Sequence, residues 1–215
     1  VLTWSGGETR FTRTGKSRSP RSAELSSTFR AHSARHAPHG DGPHSCGVEA
    51  RFRASADAVS NRSGRSEVLG TTTFTLSIGK TRFEFNGRGQ YHEQIQSDPR
   101  FTSPFSYLTL RGPDLGLIAI RGPLGARGHL LRTNGLTEVT RIELTPPGSL
   151  RTLVLHGRDG APVRGLLEAT YDYSIPVFDT YRPGTLVAGD IGGIPVSGCV
   201  NDFLLDQLRF NRMTD

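Results

Sequence analysis

The sequence predicts an all-β, antiparallel fold, a barrel or a sandwich. Three observations carry this. Short runs that alternate apolar and polar residues recur at even spacing after residue 68. Their connectors hold Gly and Pro, as in Arg111-Gly-Pro-Asp114, Arg121-Gly-Pro123 and Pro146-Pro-Gly148. The apolar content is lean, 34% beside 26 Gly and 13 Pro, which suits many half-buried strands better than helices.

Taken in order, the first third is the least regular. Residues 1–22 are polar and basic and read as a loop or an edge strand. A strand is predicted around Leu25 to Ala31. Residues 37–47 are almost pure turn chemistry, Val48 to Phe52 alternates as a strand does, and Ser60 to Glu67 reads as a loop. In Thr71 to Ile78 the residues Phe74, Leu76 and Ile78 share one face. Gly79-Lys80 is a turn and Arg82 to Phe85 returns, which predicts a hairpin. Strands follow at Gln90–Gln96, Ser106–Leu110, Gly116–Ile120, Val139–Leu144, Arg151–His156 and Arg164–Tyr173. The Gly-rich stretch Leu186 to Val200 gives no clear pattern. Asn201-Asp202 has the chemistry of a cap for a short helix holding Leu204, Leu205 and Leu208. This divides the chain into a polar, basic segment, 1–67, read as remnant strands of a first barrel, and a β domain, 68–215.

Composition excludes several classes. No apolar run approaches the ~20 residues of a membrane helix, and no secretory signal is visible. The chain opens at Val, which reads as a fragment or a processed form. The net charge of +6 is concentrated in residues 1–70, with 11 basic and 6 acidic residues. Only Lys16 and Lys80 are lysines, a bias that coding composition alone produces. With no recognition motif and no aromatic interleaving, specific nucleic-acid binding is not expected. Cys46 and Cys199 are far apart and suit two free thiols in a reducing cytoplasm, the expected compartment, although a single bridge is the alternative.

Chemistry concentrates in Gly87-Arg-Gly-Gln-Tyr-His-Glu-Gln-Ile-Gln96. On an extended strand Gln90, His92, Gln94 and Gln96 share one face; Tyr91, Glu93 and Ile95 share the other. Such a row is costly to bury without partners, so it is either a solvated face or the polar lining of a cavity. Gly87 and Gly89 suggest a bulge or a close backbone approach. His92 and Glu93 are the groups able to move protons, and on a flat strand they point apart unless a bulge intervenes. Tyr171 and Tyr173 share a strand face and offer apolar contact with a hydroxyl; ordinary core packing explains them equally well. The histidines His32, His36, His39 and His44 match no zinc spacing, so no metal is expected. No nucleophile elbow, phosphate loop or dinucleotide fingerprint is present.

Phe83-Glu-Phe-Asn-Gly-Arg-Gly-Gln-Tyr-His-Glu-Gln94, then Phe101 to Leu110, Gly128-His-Leu130, Thr137-Glu-Val-Thr140, Pro147, Arg151 and Leu153 to Leu155 resemble the AttH-like / hydroxyneurosporene synthase (carotenoid hydratase) family. The resemblance spans roughly residues 68–200. It implies lipocalin-like barrels, two in the family, and hydration, cyclisation or isomerisation of terpenoid and other apolar substrates. It places His92 at the family's polar strand position, with Gln90, Glu93 and Gln94 around it. The chain is shorter than a two-barrel protein and holds one tryptophan, Trp4, where the family is richer.

The first functional reading is therefore a lipocalin-like protein that binds an apolar small molecule and acts on it by acid–base chemistry, without a cofactor. His92 or Glu93 would be the acid; Gln90, Gln94 and Tyr107 would orient the substrate, with Tyr171 and Tyr173 as further pocket residues. A non-catalytic carrier of a lipid or isoprenoid and a basic interaction domain acting through residues 1–65 are the alternatives.

Overall fold

The computed structural model of the chain describes residues 4–14, 24–33, 45–54, 59–62, 65–94, 104–158, 160–177 and 180–203. Side chains are described from residue 47 onward, with gaps. All regular structure among these residues is β-strand, and every pairing is antiparallel. The chain divides into two compact units, Val1–Ile95 and Gln96–Asp215.

The first unit is a six-stranded sheet of β1 (Trp4–Thr14), β2 (Glu24–Ser33), β3 (Ser45–Ala54), β4 (Val59–Arg62), β5 (Arg65–Ile78) and β6 (Thr81–Gln94). Its order is β1-β2-β3-β5-β4, with β6 also paired to β5. Residues 1–22, read as loop or edge, thus include strand β1, and the loop expected over Ser60 to Glu67 contains β4 and the start of β5. The division between units falls after β6. The reason lies in the pairing: β5 runs beside β3 from Ile78↔Cys46 to Gly70↔Ala54, which ties the 65–94 hairpin to the N-terminal strands.

That hairpin turns at Gly79-Lys80, with Gly79 in the left-handed region at φ 57°. Its register is unbroken from Ile78↔Thr81 to Arg65↔Gln94, so the bulge that Gly87 and Gly89 suggested does not form. Gly89 has another role. It lies opposite Gly70, and Phe52 reaches across both. A Cβ on Gly70 would strike the Phe52 ring, and one on Gly89 would strike Thr72. The ring fills the space the two glycines leave and stands 6.4 Å from the Tyr91 ring.

The second unit is a closed barrel. Its strands are β7 (Phe105–Arg111), β8 (Leu115–Gly122), β9 (Gly125–Arg132), β10 (Gly135–Leu144), β11 (Leu150–Gly157), β12 (Val163–Val177), β13 (Thr180–Ile191) and β14 (Ile194–Phe203). Each pairs with the next, and β14 closes on β7 from Ser197↔Arg111 to Phe203↔Phe105. This is the lipocalin-like up-and-down barrel, not a sandwich. The Gly-rich stretch 186–200 is two strands joined at Gly192-Gly193, both glycines at positive φ. Asn201 and Asp202 stand within strand β14; the helix expected over residues 204–208 lies outside the described residues.

The burial patterns show which face turns inward. In β7 the order is half-buried, buried, half-buried, so Ser106, Leu108 and Leu110 point in while Tyr107 and Thr109 point out. Leu117, Leu130, Leu153, Leu155, Leu167, Val187, Ile191 and Val200 join Leu108 and Leu110 in one apolar cluster, none more than 3% exposed. An eight-stranded barrel has an interior about wide enough for side chains to fill, and here leucine, isoleucine and valine occupy it. Large and small residues alternate across strands. Leu167, Gly189 and Val196 form one inward row, and a Cβ on Gly189 would run into the β12 backbone. No helix of the described residues is long and apolar enough to cross a membrane.

Candidate functional site

The hairpin register places Glu67 of β5 opposite His92 of β6, and Leu69 opposite Gln90. Glu67 is wholly buried, at 0% exposure. Its Oε1 lies 3.1 Å from His92 Nδ1 and accepts a 3.4 Å hydrogen bond from Gln90 Nε2. A buried carboxylate is costly unless paired, and the neighbouring strand supplies two of its partners. The His92 side chain keeps 31% of its surface while the carboxylate it faces keeps none. When Nδ1 carries the ring proton it donates to Glu67, and Nε2 is then the acceptor nitrogen of the ring.

Gln90 and His92 therefore do share a face, and Gln94 pairs with Arg65 in the same register. In the register Glu93 pairs with Ser66. The side chains of Glu93 and Gln94 lie outside what the structure describes, as does Gln96. The acid that faces His92 is Glu67, which periodicity alone missed because Ser60 to Glu67 looked like a loop. The signal was available in the turn. Counting outward in equal steps from Ile78 and Thr81 arrives at Glu67 and His92.

The three tyrosines belong to the barrel unit. Tyr107 is half-buried on the outer face of β7. Tyr171 is 47% exposed on β12. Tyr173 lies over Gly184, where a Cβ would strike its ring, and its hydroxyl donates to Asn201 Oδ1 at 2.9 Å. Asn201 is the register partner of both Gly184 and Tyr107. Tyr173, Gly184, Asn201 and Tyr107 thus form one outward row across four strands, and Asn201 Nδ2 reaches Cys199 Sγ at 3.6 Å. Cys199 is a free thiol.

A second polar cluster lies inside the barrel. Arg151, 2% exposed, forms a two-pronged ion pair with Asp202, Nη1 to Oδ2 at 2.7 Å and Nη2 to Oδ1 at 3.3 Å. Its Nε and Nη2 donate to the Thr145 carbonyl at 3.1 and 2.9 Å, and Ser106 Oγ donates to Asp202 Oδ1 at 2.6 Å. With both charges hydrogen-bonded and matched, this cluster reads as architecture. The Phe105 and Phe203 rings stack beside it in sequence, 5.4 Å apart at the β7–β14 seam. Among the described residues no group of three His, Cys, Asp or Glu gathers as a metal site, while His36, His39 and His44 lie outside the described residues.

No protein-family model matches the chain, and no curated protein matches it. Among solved structures, kievitone hydratase from Nectria haematococca is similar, with a TM-score of 0.44 and 12% identity over 91% of this chain and 87% of that one.

Proposed function

We propose that the chain binds an apolar small molecule with a polarised double bond and catalyses its hydration, cyclisation or isomerisation, with His92 as the proton-transfer group and Glu67 holding it. The observation that carries this is the wholly buried Glu67 carboxylate shared by His92 and Gln90. A buried carboxylate at hydrogen-bond distance from Nδ1 fixes the ring and its orientation. The imidazolium Nε2–H would protonate the substrate carbonyl or alkene carbon. Water would then add at the electron-poor carbon, and the proton it sheds would return to Nε2. For isomerisation the same nitrogen would take a proton from the adjacent carbon. Neither route changes oxidation state. The resemblance of residues 83–94 to the AttH-like / hydroxyneurosporene synthase family supports a terpenoid-sized substrate.

The leucine, isoleucine and valine side chains that occupy the barrel interior favour this face of the β5–β6 hairpin over the lumen as the place of binding. The test is to incubate the protein with isoprenoid alkenes and enones in ¹⁸O-labelled water and read product masses. Wild type should yield product carrying one labelled oxygen, or a shifted double bond. His92→Ala and Glu67→Gln should each lower turnover about 10²–10⁴-fold, the usual size of an acid–base contribution. Turnover that survives both changes would remove the dyad from the mechanism.

A further inference from the structure

Strand β6 ends the first unit's sheet. Among the described residues it pairs with β5 along one side, and no strand pairs its other side. Every residue from 79 to 88 is exposed. A long edge with unpaired N–H and C=O groups is a template for another strand, and proteins usually blunt such edges. Here the edge carries large apolar side chains instead. Phe83 is 43% and Phe85 51% exposed, on the face they share with Phe74. The Phe85 ring lies 5.8 Å from Phe74 and 6.4 Å from Phe83.

We propose that this edge pairs with β6 of a second copy of the chain, antiparallel, about a two-fold axis through Asn86. The sequence of the edge is self-complementary in that register. On one face Glu84 falls opposite Arg88 of the second copy, and Arg88 opposite its Glu84, so the two-fold axis forms two ion pairs at once. On the other face Phe85 falls opposite Gly87 of the second copy and Phe83 opposite its Gly89. A Cβ on Gly87 would meet nothing within 4 Å, which leaves open surface for an aromatic ring. An aromatic across a strand from glycine covers the backbone that the glycine exposes. Phe83 would arrive beside the Phe52 ring that already crosses Gly89.

Registers shifted toward the turn fail on charge or length, and a shift the other way, to an axis through Gly87, loses both Glu84–Arg88 pairs by setting Glu84 against Gln90. An axis through Phe85 sets Arg82 against Arg88, and one through Glu84 sets Glu84 against itself; like charges directly opposed destabilise a pair. An axis through Phe83 pairs Arg82 with Glu84 but runs into the Gly79-Lys80 turn just beyond Thr81. The Asn86 register uses residues 81–91 of each copy, with Arg82 opposite Gln90, and leaves Glu67 and His92 outside the pairing. It also gives the exposed Arg82–Glu84 contact, 2.8 Å within one strand, a competing partner across the axis.

Sedimentation velocity over a concentration series tests this. Wild type should show a concentration-dependent monomer–dimer equilibrium. Glu84→Arg should weaken the dimer about tenfold or more, because it creates two repulsions where two attractions stood. The double change Glu84→Arg/Arg88→Glu should restore it to near wild type. Circular dichroism and melting temperature, unchanged in all three, would show that folding is not what moved. A chain that stays monomeric at about 0.5 mM overturns the proposal, as does a dimer indifferent to both changes. Register is read separately. In a Cys46→Ser/Cys199→Ser background, Asn86→Cys should form an intermolecular disulfide with oxidised glutathione, because only residue 86 meets itself. Phe85→Cys should not. Equal cross-linking at 85 overturns the register.

Discussion

Asp202→Ala is the sharpest probe of the barrel. The substitution removes a carboxylate that is 3% exposed and accepts from Arg151 and Ser106. It leaves a guanidinium, itself 2% exposed, with the Thr145 carbonyl as its remaining partner in that cluster. Removing one member of a buried pair costs about 3–5 kcal/mol, because the other charge stays desolvated and uncompensated. For a chain of this size each kcal/mol moves the melting temperature by roughly 2–4 °C, so a drop of roughly 6–20 °C is expected. The assay is far-UV circular dichroism on heating, repeated in urea to obtain the free energy. Arg151→Met/Asp202→Leu should recover most of the loss, since an apolar pair of similar volume often matches a buried ion pair. A loss below about 1 kcal/mol for Asp202→Ala, within what an exposed ion pair contributes, would refute the view of this cluster as a desolvated clasp.

His92→Ala should cost about 1–3 kcal/mol, the range for depriving a buried acceptor of a partner, and a loss under about 0.5 kcal/mol in urea unfolding would mark His92 as surface decoration. Gly89→Ala should cost about 1–3 kcal/mol by driving a methyl into Thr72 and Phe52, whereas Gly87→Ala, facing open space, should stay within about 0.5 kcal/mol; equal losses would discount the packing of Phe52 across Gly70 and Gly89.

The hairpin over 71–85 and most barrel strands were legible because Phe74, Leu76 and Ile78, or Leu153 and Leu155, alternate with polar neighbours. Strands β13 and β14 were not, for a packing reason. Their inward positions include Gly189 and Gly198, which let neighbouring strands approach closely, and glycine erases the alternation a reader looks for. Strand β9 was hidden in the same way by Gly128, where a Cβ would strike Ala119 and the Ile118 carbonyl. Asn201 and Asp202 have a chemistry with more than one use. Both are favoured helix caps, yet here one binds Tyr173 and the other Arg151. Glu67 was hidden because charge in a short run reads as loop. Its role depends on a register partner 25 residues away, which local periodicity does not report.

The seam between β7 and β14 also sets a timetable. Thr109 pairs with Cys199, so the barrel's first strand must wait for its last. At the usual pace of synthesis that interval is on the order of ten seconds. Until Phe203 has left the ribosome, the nascent sheet carries two unpaired edges and an apolar inner face open to water. High contact order slows closure further. Holdase chaperones thus have a defined window in which to act, and a chain stopped before residue 194 would be a natural client for them.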